Sequence, residues 1–571
     1  MKVVIVGGVA GGATAAARIR RLDEQAEIIV FERSGYVSYA NCGLPYYIGD
    51  VITHKEELTL QTPESFFARF RITVKVRHQV TAIHPESHTV SVEDLETGRK
   101  FEESYDKLLL SPGAKPIKPG FFGGNSDRLF TLRTVEDTFR IKEYITKNHP
   151  KTVILAGGGF ISLELAENLK NLGMEVTIVE RLKQLMTPFD PDMAAFLHNE
   201  LRRNGVQLVL ERAVEGFRER EGFVEVLLED GESLQAHMAV LAMGVVPDTA
   251  FAREAGLLLG RKDSILVNDR METSIPDIYA AGDAVQIKNF VTGQDTLVPL
   301  AGPANKQGRI AADNICGNHS RYLGAQGSSI LKAFDLTAAA TGLSETAAKQ
   351  AGIAADKVIL SPMSHAGYYP GGKVMTMKVV FEKGTGRLLG AQIAGYEGVD
   401  KRIDVLSVAI HAKMQAAQLK DLELAYAPPF SSAKDPVNMA GYMIENLSKG
   451  MVKQFHLEDL EALPEDGSVT RLDVRTVEEY RRGHIEGFVN IPVDELRERL
   501  LELDPQKPAY VICQSGLRSY IACRILAQKG FDCYNFSGGY RFYQTVVQER
   551  CLIQDASPCG MDTISAASVN S

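Results

Sequence analysis

One pattern occurs twice in this chain, and it restricts the fold more than any other feature. Residues 2–6 (Lys-Val-Val-Ile-Val) read as a short buried strand and Gly7-Gly8-Val9-Ala10-Gly11-Gly12 as a glycine-rich turn. Residues 13–21 then read as a helix, and 27–31 as a second strand ending at Glu32. The same order returns with strand 152–155, turn Gly157-Gly158-Gly159-Phe160-Ile161-Ser162, helix 163–172 and strand 175–179 ending at Glu180. A tight turn of this kind lets backbone N–H groups at a helix start face a pyrophosphate, while the carboxylate at the next strand end binds ribose hydroxyls. Val9 and Ser162 each replace one glycine of the strict pattern. Two copies with both carboxylates in register still exceed what ordinary strand-to-helix turns supply, so the chain is expected to hold two dinucleotides on parallel-stranded α/β domains.

At 571 residues the chain has room for several domains. A formal charge of −9 gives no general attraction to nucleic acid or to an anionic membrane. Its longest apolar run, 238–246, is about half a membrane span. Met1-Lys2 leads straight into the first strand without the long apolar segment of a secretory signal. Seven cysteines are an odd and sparse count that fits a reducing compartment. A cytoplasmic protein is expected, with no nucleic-acid or membrane partner and, for want of ligand spacing, no metal.

Two cysteines stand out by position. Cys42 lies ten residues past Glu32 in Ser38-Tyr39-Ala40-Asn41-Cys42-Gly43-Leu44-Pro45, and the next cysteine is Cys316. A thiol so isolated must find its redox partner elsewhere, and a helix beginning after it would lower its pKa. Cys513 ends the apolar run Val511-Ile512 ahead of a helix starting near Leu517. Successive backbone N–H groups can therefore curl around its sulfur, and Arg518 adds a cation. Cys523 and Cys533 read as structural, and Cys551 and Cys559 fall in or beside a small-residue tail, 555–571, expected to be poorly ordered.

Further segments carry a resemblance. Residues 273–284, ending Tyr279-Ala280-Ala281-Gly282-Asp283-Ala284, resemble the flavin-ribityl segment of two-dinucleotide flavoprotein reductases. Residues 105–114 and 242–248 resemble the two crossover segments of that superfamily. The resemblance implies FAD on the first unit, with Gly7, Gly8, Gly12, Glu32, Arg33 and Asp283 as its contacts, and a nicotinamide dinucleotide on the second through Gly157, Gly159 and Glu180. Glutathione-reductase-type enzymes carry a second cysteine five residues after the first, where this chain has Tyr47. Ser-Tyr-Ala-Asn-Cys-Gly instead resembles the single-cysteine branch of NADH peroxidases, NADH oxidases and coenzyme A-disulfide reductases. Residues matching a coenzyme A site are Thr14, Arg18 and Arg21, which share one helix face, with Ser38, Asn41 and Asn305. Lys434 also matches, and the resemblance implies that the partner subunit contributes it. Tyr368, or its neighbour Tyr369, and Tyr426 resemble the tyrosine pair that approaches the active sulfur across the dimer interface.

Beyond about residue 450, Leu472-Asp473-Val474-Arg475, Gly483-His484-Ile485-Glu486-Gly487 and Asn490-Ile491-Pro492 resemble recurring segments of rhodanese domains. Cys513-Gln514-Ser515-Gly516-Leu517-Arg518-Ser519 resembles their active loop. Four residues separate its cysteine from its arginine, against five in the wider phosphatase loops, which points to sulfur. The expected architecture is α/β: two Rossmann-like domains of glutathione-reductase type, an α/β dimerisation domain and a C-terminal rhodanese domain. The boundaries read as 1–110 with 245–327 for FAD, 111–244 for NAD(P)H, 328–448 for dimerisation, 449–465 as linker, 466–550 as rhodanese and 551–571 as tail. The resemblance implies a homodimeric reductase of persulfide, polysulfide or coenzyme A persulfide, using FAD, NADH and coenzyme A, with Cys42, Cys513, Tyr368, Tyr426 and Arg518 as catalytic residues. Alternatives are coenzyme A-disulfide reduction, NADH oxidase or peroxidase activity, and sulfur transfer or redox sensing.

Glu180 would accept the adenosine ribose hydroxyls and repel a 2′-phosphate, although Arg181 and Lys183 keep NADPH open. NADH is expected to give the higher kcat/KM when the two coenzymes are compared; a preference for NADPH would sink the assignment.

Overall fold

The computed structural model describes residues 1–118, 120 and 126–554. Residues 555–571, with Cys559, lie outside the described residues, while residues 551–554, read as the start of the tail, continue helix Gly539–Gln554. Two compact units emerge, Met1–Met186 with Gly205–Gly327, and Thr187–Asn204 with the chain from Ser328 onward. Among the described residues no helix is long and apolar enough to cross a membrane.

The first unit contains the duplicated pattern as two five-stranded parallel sheets. In one, Lys2–Val6 is central, with Glu27–Glu32 and then Thr73–Val76 on one side and Lys107–Leu110 and then Ile278–Ala280 on the other. In the other, Thr152–Ala156 is central, flanked by Glu175–Val179 and Gln207–Val209 on one side and by Met238–Leu241 and Leu129–Thr131 on the other. The apolar strands that gave no alternation in sequence are those buried on both faces, as parallel sheets require. Each copy also carries a three-stranded antiparallel meander, 78–104 in the first and 214–236 in the second. The two proposed crossover segments meet, Ala114–Pro116 pairing antiparallel with Val245–Pro247.

The helices Ala10–Leu22 and Phe160–Asn171 begin inside the glycine motifs, three residues earlier than the sequence suggested. Glycine at the head of each turn is obligatory. Gly7 and Gly157 have φ of +92° and +111°, and a Cβ on either would lie 2.1 Å from the Ser111 carbonyl oxygen or 2.4 Å from that of Ala242. The first helix packs along Ala301–Ile315, where a Cβ on Gly308 would come 2.3 Å from the Gly11 carbonyl oxygen.

In the second unit, a five-stranded antiparallel sheet runs in the order Ser329–Ala333, Leu336–Gly342, Leu388–Gly395, Met375–Glu382, Ala355–Leu360. A separate parallel sheet has the order Lys453–Phe455, Cys533–Phe536, Ala509–Ile512, Thr470–Asp473, Val489–Asn490. Residues 449–465, read as a linker, thus supply an edge strand to this sheet, with Phe455 buried between the rings of Tyr510 and Phe536. The charged run that follows in sequence concealed a three-residue strand too short to show alternation.

Helix Pro191–Arg203, which falls inside the interval expected for the NAD(P)H domain, belongs to this second unit. A buried charge cluster holds it there. Lys378, 1 % exposed in its side chain, donates to Asp192 and lies 3.1 Å from Asp190 and 2.9 Å from Glu345. Asp190 also accepts the backbone N–H groups of Glu345 and Thr346 at the start of the next helix. Lys357 bridges Glu345 to Glu458, carrying the network into the parallel-sheet domain. Burial alone would raise the Asp190 carboxyl, but Lys378 and Thr346 overcome it and hold the pKa at about 2.

Removing one partner of such a buried cluster leaves charges uncompensated. Lys378→Ala is expected to destabilise the chain by about 3–5 kcal/mol in chemical unfolding, and a change below about 1 kcal/mol would count against the cluster. Because the folded pKa of Asp190 lies below its ordinary 3.8, its contribution is complete above that value and is lost as pH falls toward 2.

Candidate active sites

Glu32 and Glu180 organise the two glycine turns identically. Glu32 Oε2 accepts the Gly8 N–H at 2.8 Å and Oε1 the Ser34 N–H at 2.9 Å. Glu180 Oε2 accepts the Gly158 N–H at 2.7 Å and Oε1 the Leu182 N–H at 2.9 Å. Each carboxylate is thus fixed at a strand end, with lone pairs left for ribose hydroxyls. Burial pushes the Glu32 carboxyl up in pKa, opposed by its bonds to Gly8 and Ser34.

Both helix starts suit a pyrophosphate. Neither has an acidic residue in its first turn or a side-chain cap, so the leading N–H groups stay available. Gly159 opens onto empty space where a Cβ would meet nothing within 4 Å. Ser162, standing for the third glycine, is wholly buried, and its hydroxyl has no hydrogen-bond partner among the described residues. Beside Gly7 and Glu32 a cleft of about 200 Å3 is lined by Phe31, Arg33, Val80, Pro112 and Asp248, of a form that takes an adenosine end. Arg33 is ion-paired with Asp248, which Lys115 also approaches at 3.1 Å. Asp283 is held by Arg133 at 2.6 Å. These residues fit FAD on the first sheet and a nicotinamide dinucleotide on the second.

Cys42 is exposed, in the 3-10 turn Asn41–Gly43 ahead of the five-residue helix Leu44–Ile48. That helix is too short to depress the thiol as the sequence suggested. Partial burial of the sulfur pushes its pKa up instead, with the charges of Glu164 and Asp283 adding and Arg133 opposing. Glu164 comes from helix Phe160–Asn171, against which Leu44–Ile48 packs. Its own carboxyl is raised to about 7 by burial and by Glu167. Three distant parts of the chain thus act on one thiol. Arg133 and Glu164 are residues that sequence reasoning missed, because neither belongs to a motif.

The residues read as a coenzyme A site separate in their present roles. Thr14 donates to Asn305 Oδ1 at 2.5 Å, joining two of them across the packed helices. Arg18 is ion-paired to Asp313 at 2.7 Å, while Arg21 is exposed. Ser38 sits at φ +48° with its N–H on the Gly8 carbonyl, which ties the Cys42 loop to the first glycine turn, and Asn41 is half-buried. In the second unit, Lys434 is exposed, and the Tyr368 and Tyr426 hydroxyls hydrogen-bond at 2.6 Å with both rings exposed. Tyr369 packs on His365 instead, so geometry selects Tyr368 as the partner of Tyr426.

Cys513 is fully buried, and its sulfur accepts the Gly516 N–H at 3.1 Å and the Ser519 hydroxyl at 3.2 Å. The loop is braced from outside, Tyr540 N–H donating to the Cys513 carbonyl and Arg541 N–H to that of Gln514. Ser519 was missed although it follows Arg518 directly; a hydroxyl in the first helical turn gives no signal by itself. Arg518 turns its guanidinium onto Glu479, two bonds of 2.7 Å, where the sequence had expected it to serve the sulfur. Cys523 and Cys533 are buried together in this domain's core, as read.

A two-dinucleotide reductase domain, a second α/β domain and a sulfur-binding loop domain are therefore present in one chain. The pyridine nucleotide-disulphide oxidoreductase family matches residues 1–308, its dimerisation domain 329–436 and the rhodanese-like domain 456–545. The chain is 39 % identical over 442 residues to a coenzyme A disulfide reductase of Staphylococcus aureus, covering 77 % of this chain and 99 % of that protein. Among solved structures, reduced CoADR-RHD of Bacillus anthracis is 46 % identical with a TM-score of 0.93, over 96 % of this chain and 98 % of that one. An NAD-dependent persulfide reductase from A. fulgidus is 38 % identical with a TM-score of 0.89, over 95 % and 100 %. The chain belongs to the pyridine nucleotide-disulphide oxidoreductases, FAD- and NADH-binding enzymes, and carries a rhodanese domain at its C-terminal end.

Because Glu164 charges as pH rises through about 7, it opposes Cys42 ionisation chiefly above that pH. Glu164→Gln is expected to speed alkylation of Cys42 by iodoacetamide about one pH unit above that value and leave it nearly unchanged one unit below. Equal effects at both pH values would show that the carboxylate does not act on the thiol.

Proposed function

We propose that this enzyme reduces the S–S bond of persulfide, polysulfide or coenzyme A persulfide substrates with NADH, as a homodimer. For a persulfide RSSH, NADH and one proton are consumed, and the thiol RSH, hydrogen sulfide and NAD+ are released. The observation that carries this reading is the presence on one chain of two unlike cysteines. Cys42 is an exposed single thiol in a dinucleotide-binding unit, and Cys513 is a buried sulfur that accepts hydrogen bonds from the Gly516 N–H and the Ser519 hydroxyl. The likeness to proteins named coenzyme A disulfide reductase and persulfide reductase supports it.

The chain's own residues divide the work. Gly8, Gly12 and Glu32, with Asp283, hold FAD, and Gly157, Gly159 and Glu180 hold NADH. Bound FAD supplies two-electron transfer from the nicotinamide to a disulfide. The Cys42 thiolate attacks one sulfur of the substrate, the S–S bond breaks, and the other sulfur leaves as thiolate or hydrosulfide. Two electrons then split the disulfide formed on Cys42 and restore the thiolate. Protons for the departing sulfur come from the hydrogen-bonded phenols of Tyr368 and Tyr426, supplied from the partner subunit. The bond to Tyr368 raises the Tyr426 phenol above its ordinary range, so it is fully protonated at neutral pH when the sulfur departs. Thr14, Arg18, Arg21, Ser38, Asn41, Asn305 and the partner's Lys434 would receive a coenzyme A moiety, with Arg18 leaving or sharing Asp313 to do so. Cys513 takes sulfane sulfur and presents it for reduction, the shared chain raising its effective concentration.

Reduction of coenzyme A disulfide is the second reading, favoured by the S. aureus relative, whose match covers 77 % of this chain. Side-by-side NADH oxidation with coenzyme A disulfide, coenzyme A persulfide and polysulfide separates the two. Cys42→Ser is expected to abolish reduction of all three; retained persulfide reduction would refute the scheme. Cys513→Ser should impair polymeric sulfur most, and an equal loss on every substrate would argue against a carrier role.

A further inference from the structure

Two arginines close to the Cys513 loop are already matched by carboxylates. Arg475 is buried on Asp473 at 2.7 Å, donates to the Gly483 carbonyl and lies over the Tyr540 ring. Arg518, the cation of the loop itself, is held by both oxygens of Glu479. Glu479 is not a loosely placed surface acid. It closes the capping box of helix Val477–Arg481, accepting the Thr476 N–H at 2.9 Å and the Thr476 hydroxyl at 3.0 Å. Four donors thus converge on one carboxylate. The Arg518 bonds lower its pKa most, and with Thr476 they bring it to about 2, so it is fully ionised at neutral pH.

The consequence concerns which sulfur donor can approach. The Cys513 thiolate is stabilised by a backbone N–H and a hydroxyl, neutral dipoles that suffice for one negative charge. A dianion such as thiosulfate brings two further negative charges toward that thiolate and gains more than a monoanion from each cation left unmatched beside the loop, so pairing Arg518 costs it more even with Arg541 bonded to the loop backbone. Arg518, already paired bidentately, offers little net charge. An organic persulfide group brings at most one charge, and the same pairing penalises it less.

We propose that Glu479, by neutralising Arg518, is a specificity-determining positioning residue that turns the Cys513 loop away from thiosulfate and toward organic persulfides. This rests on the reading of Cys513 as a sulfane-sulfur carrier. In the favoured transfer the Cys513 thiolate attacks the outer sulfur of RSSH, the S–S bond breaks, RSH leaves and Cys513 holds the persulfide. With thiosulfate the same attack releases sulfite.

The test measures the rate of Cys513 persulfidation in the full holoenzyme by mass spectrometry, with thiosulfate and with glutathione persulfide as donors. Glu479→Gln keeps an acceptor for the Thr476 cap and removes the charge. It is expected to raise the thiosulfate-to-persulfide rate ratio about tenfold, the effect of one unmatched charge near a dianion. Glu479→Asp, which keeps the charge, should hold the ratio near that of the unaltered enzyme, and adding Arg518→Gln to Glu479→Gln should cancel the gain. Persulfide loading with an unchanged ratio in Glu479→Gln overturns this inference alone. Loading from neither donor in any variant overturns the sulfur-carrier reading and this inference with it.

Discussion

A carboxylate clamped across a glycine turn is the interaction on which the reductase half depends. In each copy of the duplicated unit, a glutamate at the end of the second strand accepts the N–H of the second glycine and an N–H two residues along its own chain. Hydrogen bonds to a charged group are worth about 2 kcal/mol each, and here they also set geometry. They fix the strand end against the turn, leave the helix N–H groups unblocked, and aim the remaining lone pairs where a ribose would lie. Residues 34–42 then run from that clamp, with Ser38 tied back to Gly8, and deliver Cys42.

The two sulfur centres solve opposite problems. Cys42 is exposed, as the proposed attack on an external S–S bond needs, and its surroundings favour the thiol, through partial burial and nearby carboxylates. Cys513 is buried, yet accepts two hydrogen bonds that suit an anion. Under the proposed function, an attacking sulfur and a stored sulfane sulfur place different demands on their environment, and the two cysteines sit in the surroundings of different sheets. The ion pairing of Arg518 with Glu479 adds a further distinction, because it takes the loop's own cation out of play for an approaching anion.

Much of this was legible in the sequence because the features are local. Each dinucleotide unit lies within about 30 consecutive residues, and glycine positions, strand hydrophobicity and terminal acids report directly on it. The crossover segments and the Cys513 loop were readable for the same reason. The edge strand Lys453–Phe455 was not, since three residues carry no period and a charged run followed them. Nor was the transfer of helix Pro191–Arg203 to the second unit, which depends on Lys378 reaching Asp192 across 186 residues.

The sequence by itself determined the two nucleotide units, the lone thiol and the sulfur loop, because turn chemistry and strand patterning act between near neighbours. Only the tertiary structure decided the ionisation of Cys42 and the electrostatics of Cys513. Glu164 acts on Cys42 from a different dinucleotide unit, and Glu479 takes Arg518 across 39 residues. Charge interactions depend on distance in space and on burial, and neither quantity is written along the chain.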